Sequence, residues 1–169
     1  QVLFDPAVKD TVWAGVEIDA VHRSRDGGAT WTRLDTGLVS GDVHGVAVVR
    51  AGEQTTVFAT TNKGLHRSGN NGDSWTFQQL DSPWQYTRTI TARADGDQTL
   101  FLTNGNGPPG STGRLLRSRD YGSSWQDVGL PGKTNSILNF LLKNVVASGI
   151  HVVAVADLPG EQDSYGWPR

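Results

Sequence analysis

Length, composition and charge already exclude several classes of protein. The chain has 169 residues with 15 Lys and Arg against 17 Asp and Glu, so its formal net charge of −2 gives no electrostatic basis for binding nucleic acid or an anionic membrane. It has no cysteine, which excludes disulfides, thiolate catalysis and cysteine-ligated metals, and no apolar run approaches the roughly 18 residues of a membrane-spanning helix.

In chain order, runs of strand-forming residues separated by turn-forming residues predict three groups of short strands. The first group comprises residues 1–5, 11–16, 20–24 and 31–34, the second 43–50, 55–60, 64–68 and 75–80, and the third 86–93, 99–103, 114–118 and 125–128. After residue 133 the pattern changes. The apolar residues between 137 and 145 fit a helix as well as a buried strand, whereas residues 150–156 are typical of a strand.

One eight-residue stretch occurs three times, always between the third and fourth strands of a group. The copies begin at residues 24, 68 and 118, and spacings of that size are typical of a repeated supersecondary unit. The third residue of each copy can accept hydrogen bonds from turn amides, and the fifth, a glycine, can adopt a positive φ. Because Asn70 replaces the acid in the second copy, a charge is not needed there, which favours an architectural role over a catalytic one.

These copies closely resemble the Asp-box, or bacterial neuraminidase repeat, with the pattern S-x-D-x-G-x-[ST]-W. The resemblance covers about residues 11–130. It implies an all-β fold, a β-propeller of four-stranded antiparallel blades, as in sialidases, xyloglucan-cleaving glycosidases, sortilin-type receptors and the photosystem II assembly factor. The residues with this structural role would be Ser24, Asp26, Gly28, Trp31, Ser68, Asn70, Gly72, Trp75, Ser118, Asp120, Gly122 and Trp125.

The resemblance implies a single, partial propeller over residues 1–169. Residues 1–38 would be an incomplete first blade, 39–81 the second and 82–131 the third, with 132–169 the start of a further blade or a divergent C-terminal element. About three and a half blades are then present, whereas closed propellers have roughly 4–8. The rest of a longer chain or a second copy in a homodimer would close the ring, and an atypical open sheet is the alternative. The first residue, Gln1, and the absence of Met indicate a processed chain, a fragment or an incompletely known sequence.

In sialidases the active site lies at the end of the blades opposite the boxes, which makes that end the candidate functional face. The catalytic candidates there are Glu17, Asp19, Asp42, Tyr86 and Arg88. Aromatic faces beside amides suit a sugar ring, so the candidate ligand-binding residues are Lys63, Trp84, Gln85, Tyr86, Asn104 and Asn106. Two alternatives stay open: Trp84 would cap the core of its blade, and the long loop of residues 104–113 would be a flexible insertion.

Two hypotheses about function follow. The first is a glycan-binding or protein-binding scaffold, because every specific signal is architectural. The second is a glycoside hydrolase, sialidase-like or glucan-cleaving, whose remaining catalytic residues lie in missing blades; the Arg-Ile-Pro segment of sialidases is absent. A less favoured third is an assembly factor with a basic patch, for which only the recurring Arg23, Arg67 and Arg117 are available.

No cofactor and no metal site are expected. His22 and His66 occupy equivalent positions of the repeat, which favours a structural role, and neither His44 nor His151 has a second ligand at metal spacing. The predicted partner is a carbohydrate or a protein, with no nucleic acid and no membrane span. The resemblance slightly favours a location outside the cytoplasm.

Overall fold

Every regular element of the described structure, a computed structural model, is a β-strand. The structure describes residues 1–93, 99–107, 110–129, 144–148 and 151–155, the last two ranges by their backbone alone. Within these ranges there is no helix, and three sheets each contain four antiparallel strands in sequential order. The predicted all-β class and its four-stranded units are therefore confirmed. The apolar stretch between residues 137 and 145, for which helix and strand were both open, lies outside the described residues as far as 143, and its last two residues belong to a strand.

The strands follow one another as neighbours in each sheet. The first sheet contains β1 (Val2–Phe4), β2 (Val12–Gly15), β3 (Val21–Ser24) and β4 (Thr32–Leu34). The second contains β5 (Val43–Ala51), β6 (Gln54–Thr61), β7 (Gly64–Ser68) and β8 (Thr76–Gln78). The third contains β9 (Tyr86–Ala92), β10 (Leu100–Gly105), β11 (Gly113–Ser118) and β12 (Gln126–Asp127). A hairpin of β13 (Asn144–Ser148) and β14 (His151–Val155) follows.

The second sheet is buried on both faces, and the alternation of side chains along β5 explains how. Val46 and Val48 belong to a buried cluster that also contains Trp13 of the first sheet. Ala47 lies on the other face, in a second cluster that includes Ile90 of the third sheet. Since successive residues of a strand point to opposite faces, an unbroken apolar run along β5 fills both interfaces.

In the second and third repeated stretches, the final tryptophan reaches the preceding sheet. The Trp75 indole donates a hydrogen bond to the backbone carbonyl of Leu34 at 3.1 Å. The Trp125 ring meets Phe58 edge-on, with ring centroids 6.4 Å apart. Trp31, which ends the first repeated stretch, is 43% exposed. Trp75 and Trp125 thus join the second sheet to the first and the third sheet to the second.

The fourth strand of each sheet begins one residue later than the sequence predicts, after the tryptophan. In the second sheet the reason is visible in the backbone. The Trp75 amide donates to the carbonyl of Thr36, which follows the first sheet, at 2.8 Å. That amide is consequently used between sheets, and pairing with β7 starts at Thr76.

Candidate functional site

The repeat turns, residues 24–31, 68–75 and 118–125, are closed by the same internal hydrogen bonds. In the first, the Ser24 hydroxyl donates to Oδ1 of Asp26 at 2.7 Å and accepts from the Gly28 amide at 2.8 Å. The Thr30 amide donates to the same Oδ1 at 2.8 Å. The third turn repeats these bonds, and in the second the side-chain oxygen of Asn70 replaces the carboxylate. The serine and the acid or amide of each turn are therefore engaged within the fold.

The carboxyl groups of the first and third turns are held in their charged form. Hydrogen bonds from the hydroxyl and amide of Thr30, with a further one from Ser24, lower the pKa of Asp26 to about 2. Burial raises the pKa of Asp120, but hydrogen bonds from the side chain and amide of Ser124 and from the Ser118 hydroxyl outweigh it and lower the value to about 2. Neither carboxyl is suited to proton transfer near neutral pH.

At the opposite end of the strands, two β-bulges occur at matching places in β5 and β9. In the β5–β6 ladder the register shifts next to Gly45, which leaves His44 without a pairing partner on β6. In the β9–β10 ladder the shift lies opposite Arg88. A bulge redirects a side chain out of the regular alternation. His44 and Arg88 line, together with Glu17, one open cavity of about 400 Å³.

Two further candidates, Asp42 and Tyr86, contact the residues that line this cavity. We call the five residues together the polar cluster: Glu17, Asp42, His44, Tyr86 and Arg88. The nearest ligand-type atoms of Glu17, Asp42 and His44 all lie within 4.8 Å of one another. The His44 and Tyr86 rings have centroids 5.3 Å apart. Arg88 Nη1 donates to the Tyr86 hydroxyl at 3.0 Å. Four of the five catalytic candidates are thereby in one place.

The imidazole of His44 is the buried member of the polar cluster, with 5% of its side chain exposed. Its Nδ1 lies 2.8 Å from the backbone oxygen of Thr87. A carbonyl oxygen can only accept, so Nδ1 carries the hydrogen. Nε2 points the other way and lies 3.4 Å from Oδ1 of Asp42, whose side chain is 25% exposed.

The fifth catalytic candidate, Asp19, lies outside the polar cluster. Its carboxylate accepts from Arg33 Nε at 3.0 Å and lies 3.1 Å from His22 Nε2. The hydrogen bond to Asp19 raises the pKa of Arg33. Asp19 thus takes part in an exposed ion pair at the β2–β3 loop.

Three predicted ligand-binding amides, Gln85, Asn104 and Asn106, make hydrogen bonds within the protein, and Asn104 lies in β10, outside the loop. Asn104, fully buried, donates to the carbonyls of Trp84 and Tyr86 at 3.0 and 2.9 Å. Gln85 donates to the carbonyls of Leu80 and Ser82, each at 3.1 Å. These two side chains hold the segment that leads into β9 and includes Tyr86.

Asn106 closes the described part of the long loop by accepting from the amides of Ser111 and Thr112 at 2.8 and 3.1 Å. Trp84 lies at half-burial with the Arg114 guanidinium 5.4 Å from its ring centroid. Lys63 is exposed, and its backbone amide donates to the Thr61 hydroxyl at 3.1 Å. A ligand-binding role for these residues stays a prediction.

The sequence did not predict that His44 lies beside Glu17 and Asp42. Spacing along the chain cannot show this, because Glu17 lies in the loop after β2 of the first sheet and His44 lies in β5 of the second. One signal was available, since a glycine inside a predicted strand often marks a bulge, and Gly45 follows His44 directly.

The part of the chain that the structure describes contains no helix with the length and hydropathy of a bilayer-crossing segment. No protein-family model and no curated protein matches the sequence. Solved structures do show similarity. The chain resembles an ancestral GH74 enzyme with a TM-score of 0.67 and 23% identity, over 87% of this chain and 19% of that one.

Two further solved structures are similar to the chain. The GH74 xyloglucanase from Xanthomonas campestris gives a TM-score of 0.57 and 17% identity, over 80% of this chain and 23% of that one. YCF48 bound to D1 peptide gives a TM-score of 0.53 and 18% identity, over 86% of this chain and 47% of that one. All of these are β-propeller proteins, so the similarity establishes the fold. The chain spans less than half the length of each of these neighbours.

Proposed function

We propose that this chain is part of an Asp-box β-propeller that binds a glycan or protein ligand in the cavity of the polar cluster. One observation carries the proposal: bulges in β5 and β9 direct His44 and Arg88 into the same cavity, beside Glu17. Bulges are common next to functional sites because they re-aim side chains.

The Asp-box identity is supported by the hydrogen bonds of the repeat turns. The serine, the acid or amide and the glycine of the pattern S-x-D-x-G-x-[ST]-W bond to one another in all three copies. These bonds give a physical reason for the residue type at three positions of the pattern.

The chemistry of the cavity suits a ligand with hydroxyl, amide or charged groups. Arg88 supplies a cation, Glu17 and Asp42 supply acceptors, and Tyr86 supplies an aromatic ring. Ile18, next to Glu17, is 87% exposed and has a φ of 61°, a conformation that β-branched residues rarely adopt. Backbone strain of this kind clusters at functional sites, which favours Ile18 as an apolar contact for the same ligand.

A second candidate function is glycoside hydrolysis, and the geometry of two carboxyl groups favours it. Glu17 and Asp42 come within 4.8 Å of each other, close to the roughly 5 Å between the carboxyls of retaining glycosidases. Further catalytic residues would then lie in parts of the protein beyond this chain. The GH74 neighbours make this candidate worth testing directly.

The test is a screen of the purified chain on a glycan array containing xyloglucan and sialylated oligosaccharides and on a peptide array. We expect one class of ligand to bind, and we expect Arg88→Gln to weaken that binding at least tenfold. Arg119→Gln is the matched control, because Arg119 is exposed in the third repeat turn at the other end of the strands.

Equal loss in both variants, or no effect of Arg88→Gln, would contradict a site at the polar cluster. Release of reducing ends from xyloglucan, abolished by Glu17→Gln, would replace the binding module with the hydrolase.

A further inference from the structure

His44 and Asp42 present an electrostatic conflict that a bound cation would resolve. The Nδ1 hydrogen of His44 is committed to the Thr87 carbonyl, so in the neutral imidazole Nε2 carries a lone pair. That lone pair faces Oδ1 of Asp42 at 3.4 Å. Two lone pairs at this distance repel, and only a proton or a cation between them makes the contact favourable.

The surroundings extend this pair to three ligand atoms. Glu17 places a carboxylate oxygen within 4.8 Å of both His44 and Asp42. Its side chain is exposed, and the open cavity gives it access to solvent. Glu17 lies in the β2–β3 loop, Asp42 just before β5, and His44 in the β5 bulge. The fold therefore brings together residues from two sheets.

The Thr87 hydrogen bond is the contact that metal-binding histidines usually make. A ligating imidazole almost always donates its other N–H to a carbonyl or carboxylate, which fixes the tautomer and aims the lone pair. Because only 5% of the His44 side chain is exposed, the surrounding protein restricts the ring to that orientation. Arg88 also lines the cavity, and its positive charge tempers the affinity for a cation without supplying a ligand.

We propose that His44 Nε2 and the carboxylates of Asp42 and Glu17 bind one divalent transition-metal ion, of which Zn²⁺ is the best match. One imidazole and two carboxylates suit Zn²⁺ or Mn²⁺, since imidazole is a poor ligand for Ca²⁺ and Mg²⁺. Three protein ligands leave a coordination position free for water or for an oxygen of a bound ligand. This inference goes beyond the proposed binding function and does not depend on it.

The experiment is calorimetric titration of the chelator-treated chain with ZnCl₂, repeated with MnCl₂. We expect one Zn²⁺ per chain and at least tenfold weaker binding in both Glu17→Gln and His44→Ala. Glu17 is exposed, so Glu17→Gln is expected to fold normally and keeps the test valid if His44→Ala does not fold. His22→Ala is the matched control, because His22 also lies beside a carboxylate, that of Asp19, but has no third ligand in the described structure.

Imidazole ¹⁵N NMR supplies a second readout. Added Zn²⁺ is expected to shift Nε2 of His44 while Nδ1 keeps its proton. Absence of saturable Zn²⁺ binding, equal binding by Glu17→Gln, or an Nε2 that stays protonated in the presence of Zn²⁺ would overturn the proposal. None of these measurements uses a glycan or a peptide, so the metal site and the binding function fail or succeed separately.

Discussion

At the scale of single residues, the second repeat turn shows which property of the aspartates the fold uses. Asn70 accepts hydrogen bonds from a serine hydroxyl and a turn amide, at 2.8 and 3.0 Å, and Asp26 and Asp120 accept the equivalent bonds in their own turns. Its Nδ2 donates to the Ser74 hydroxyl, where Asp120 instead accepts from Ser124. An amide can therefore close the turn, and the charge of the other two adds a dependence on pH.

Asp120→Asn is predicted to fold and to become less sensitive to acid. The folded-state pKa of Asp120, about 2, lies below its usual value of 3.8, so the charged form stabilises the folded chain above about pH 4. That contribution is lost as the pH falls toward 2. Thermal melting from pH 6 to 2.5 should show a smaller decrease in Tm for Asp120→Asn than for the wild type.

The reverse substitution, Asn70→Asp, is the matched variant and should make the decrease in Tm larger. Parallel curves for all three proteins would contradict the linkage.

Trp75→Ala is predicted to lower the free energy of unfolding by roughly 3–5 kcal/mol, as for other large core truncations. The Trp75 ring is 5% exposed and lies in the core between the first two sheets. Trp31→Ala is the control, since Trp31 is 43% exposed, and about 1 kcal/mol or less is expected. Urea unfolding of both variants measures this; equal losses would refute the packing role.

At the scale of elements, the repeat turns act as spacers between neighbouring sheets. A Cβ at Gly122 would lie 2.3 Å from Cζ of Phe58 in the second sheet, and one at Gly72 would lie 3.0 Å from Trp13 in the first. At Gly28 a Cβ would meet only Trp31, at 3.7 Å. The absence of a side chain at the two inner turns thus sets how closely the sheets approach.

Gly122→Ala is predicted to destabilise more than Gly28→Ala. Both glycines have a positive φ, 77° and 99°, so both substitutions carry a backbone cost of about 1–2 kcal/mol. Only Gly122→Ala also creates a clash with Phe58, which is expected to lower the free energy of unfolding by about a further 1–3 kcal/mol. Chemical denaturation of the two variants gives the difference directly, and the same loss for both would show that the sheets do not rely on this contact.

The strands were predictable because their signals are local. Turn residues and the repeated stretch placed the strands of the three sheets to within a few residues, and the box pattern fixed where each third strand ends. For the polar cluster, the sequence predicted only that its residues lie at the same end of the blades. It did not predict that they lie close together, since Glu17, Asp42 and Arg88 are far apart in sequence. The bulge at His44 and the internal bonds of Asn104 depend on pairing between strands, which no local pattern encodes.

At the scale of the whole molecule, the first sheet leaves apolar surface uncovered. On β1, Val2 is 65% and Phe4 76% exposed, and Trp31 of the same sheet is also open. Large exposed apolar patches mark interfaces. We propose that residues 1–38, 39–81 and 82–131 are consecutive blades and that a further blade covers the first, supplied by a longer chain or by a second copy.

Intact mass and light scattering test this arrangement. The natural protein is predicted either to exceed the 18.2 kDa of this chain or, at that mass, to form particles with twice the mass. A cooperatively folded monomer of 18.2 kDa would contradict ring closure and would indicate an open row of sheets.

Ligands are proposed to bind at the polar cluster and not at the repeat turns. The most direct measurement is a ¹H–¹⁵N NMR titration of the chain with the strongest hit from the glycan and peptide arrays. We expect the largest chemical-shift changes at the polar cluster, which comprises Glu17, Asp42, His44, Tyr86 and Arg88. Shifts concentrated in residues 24–31, 68–75 and 118–125, or no saturable shifts at all, would contradict it.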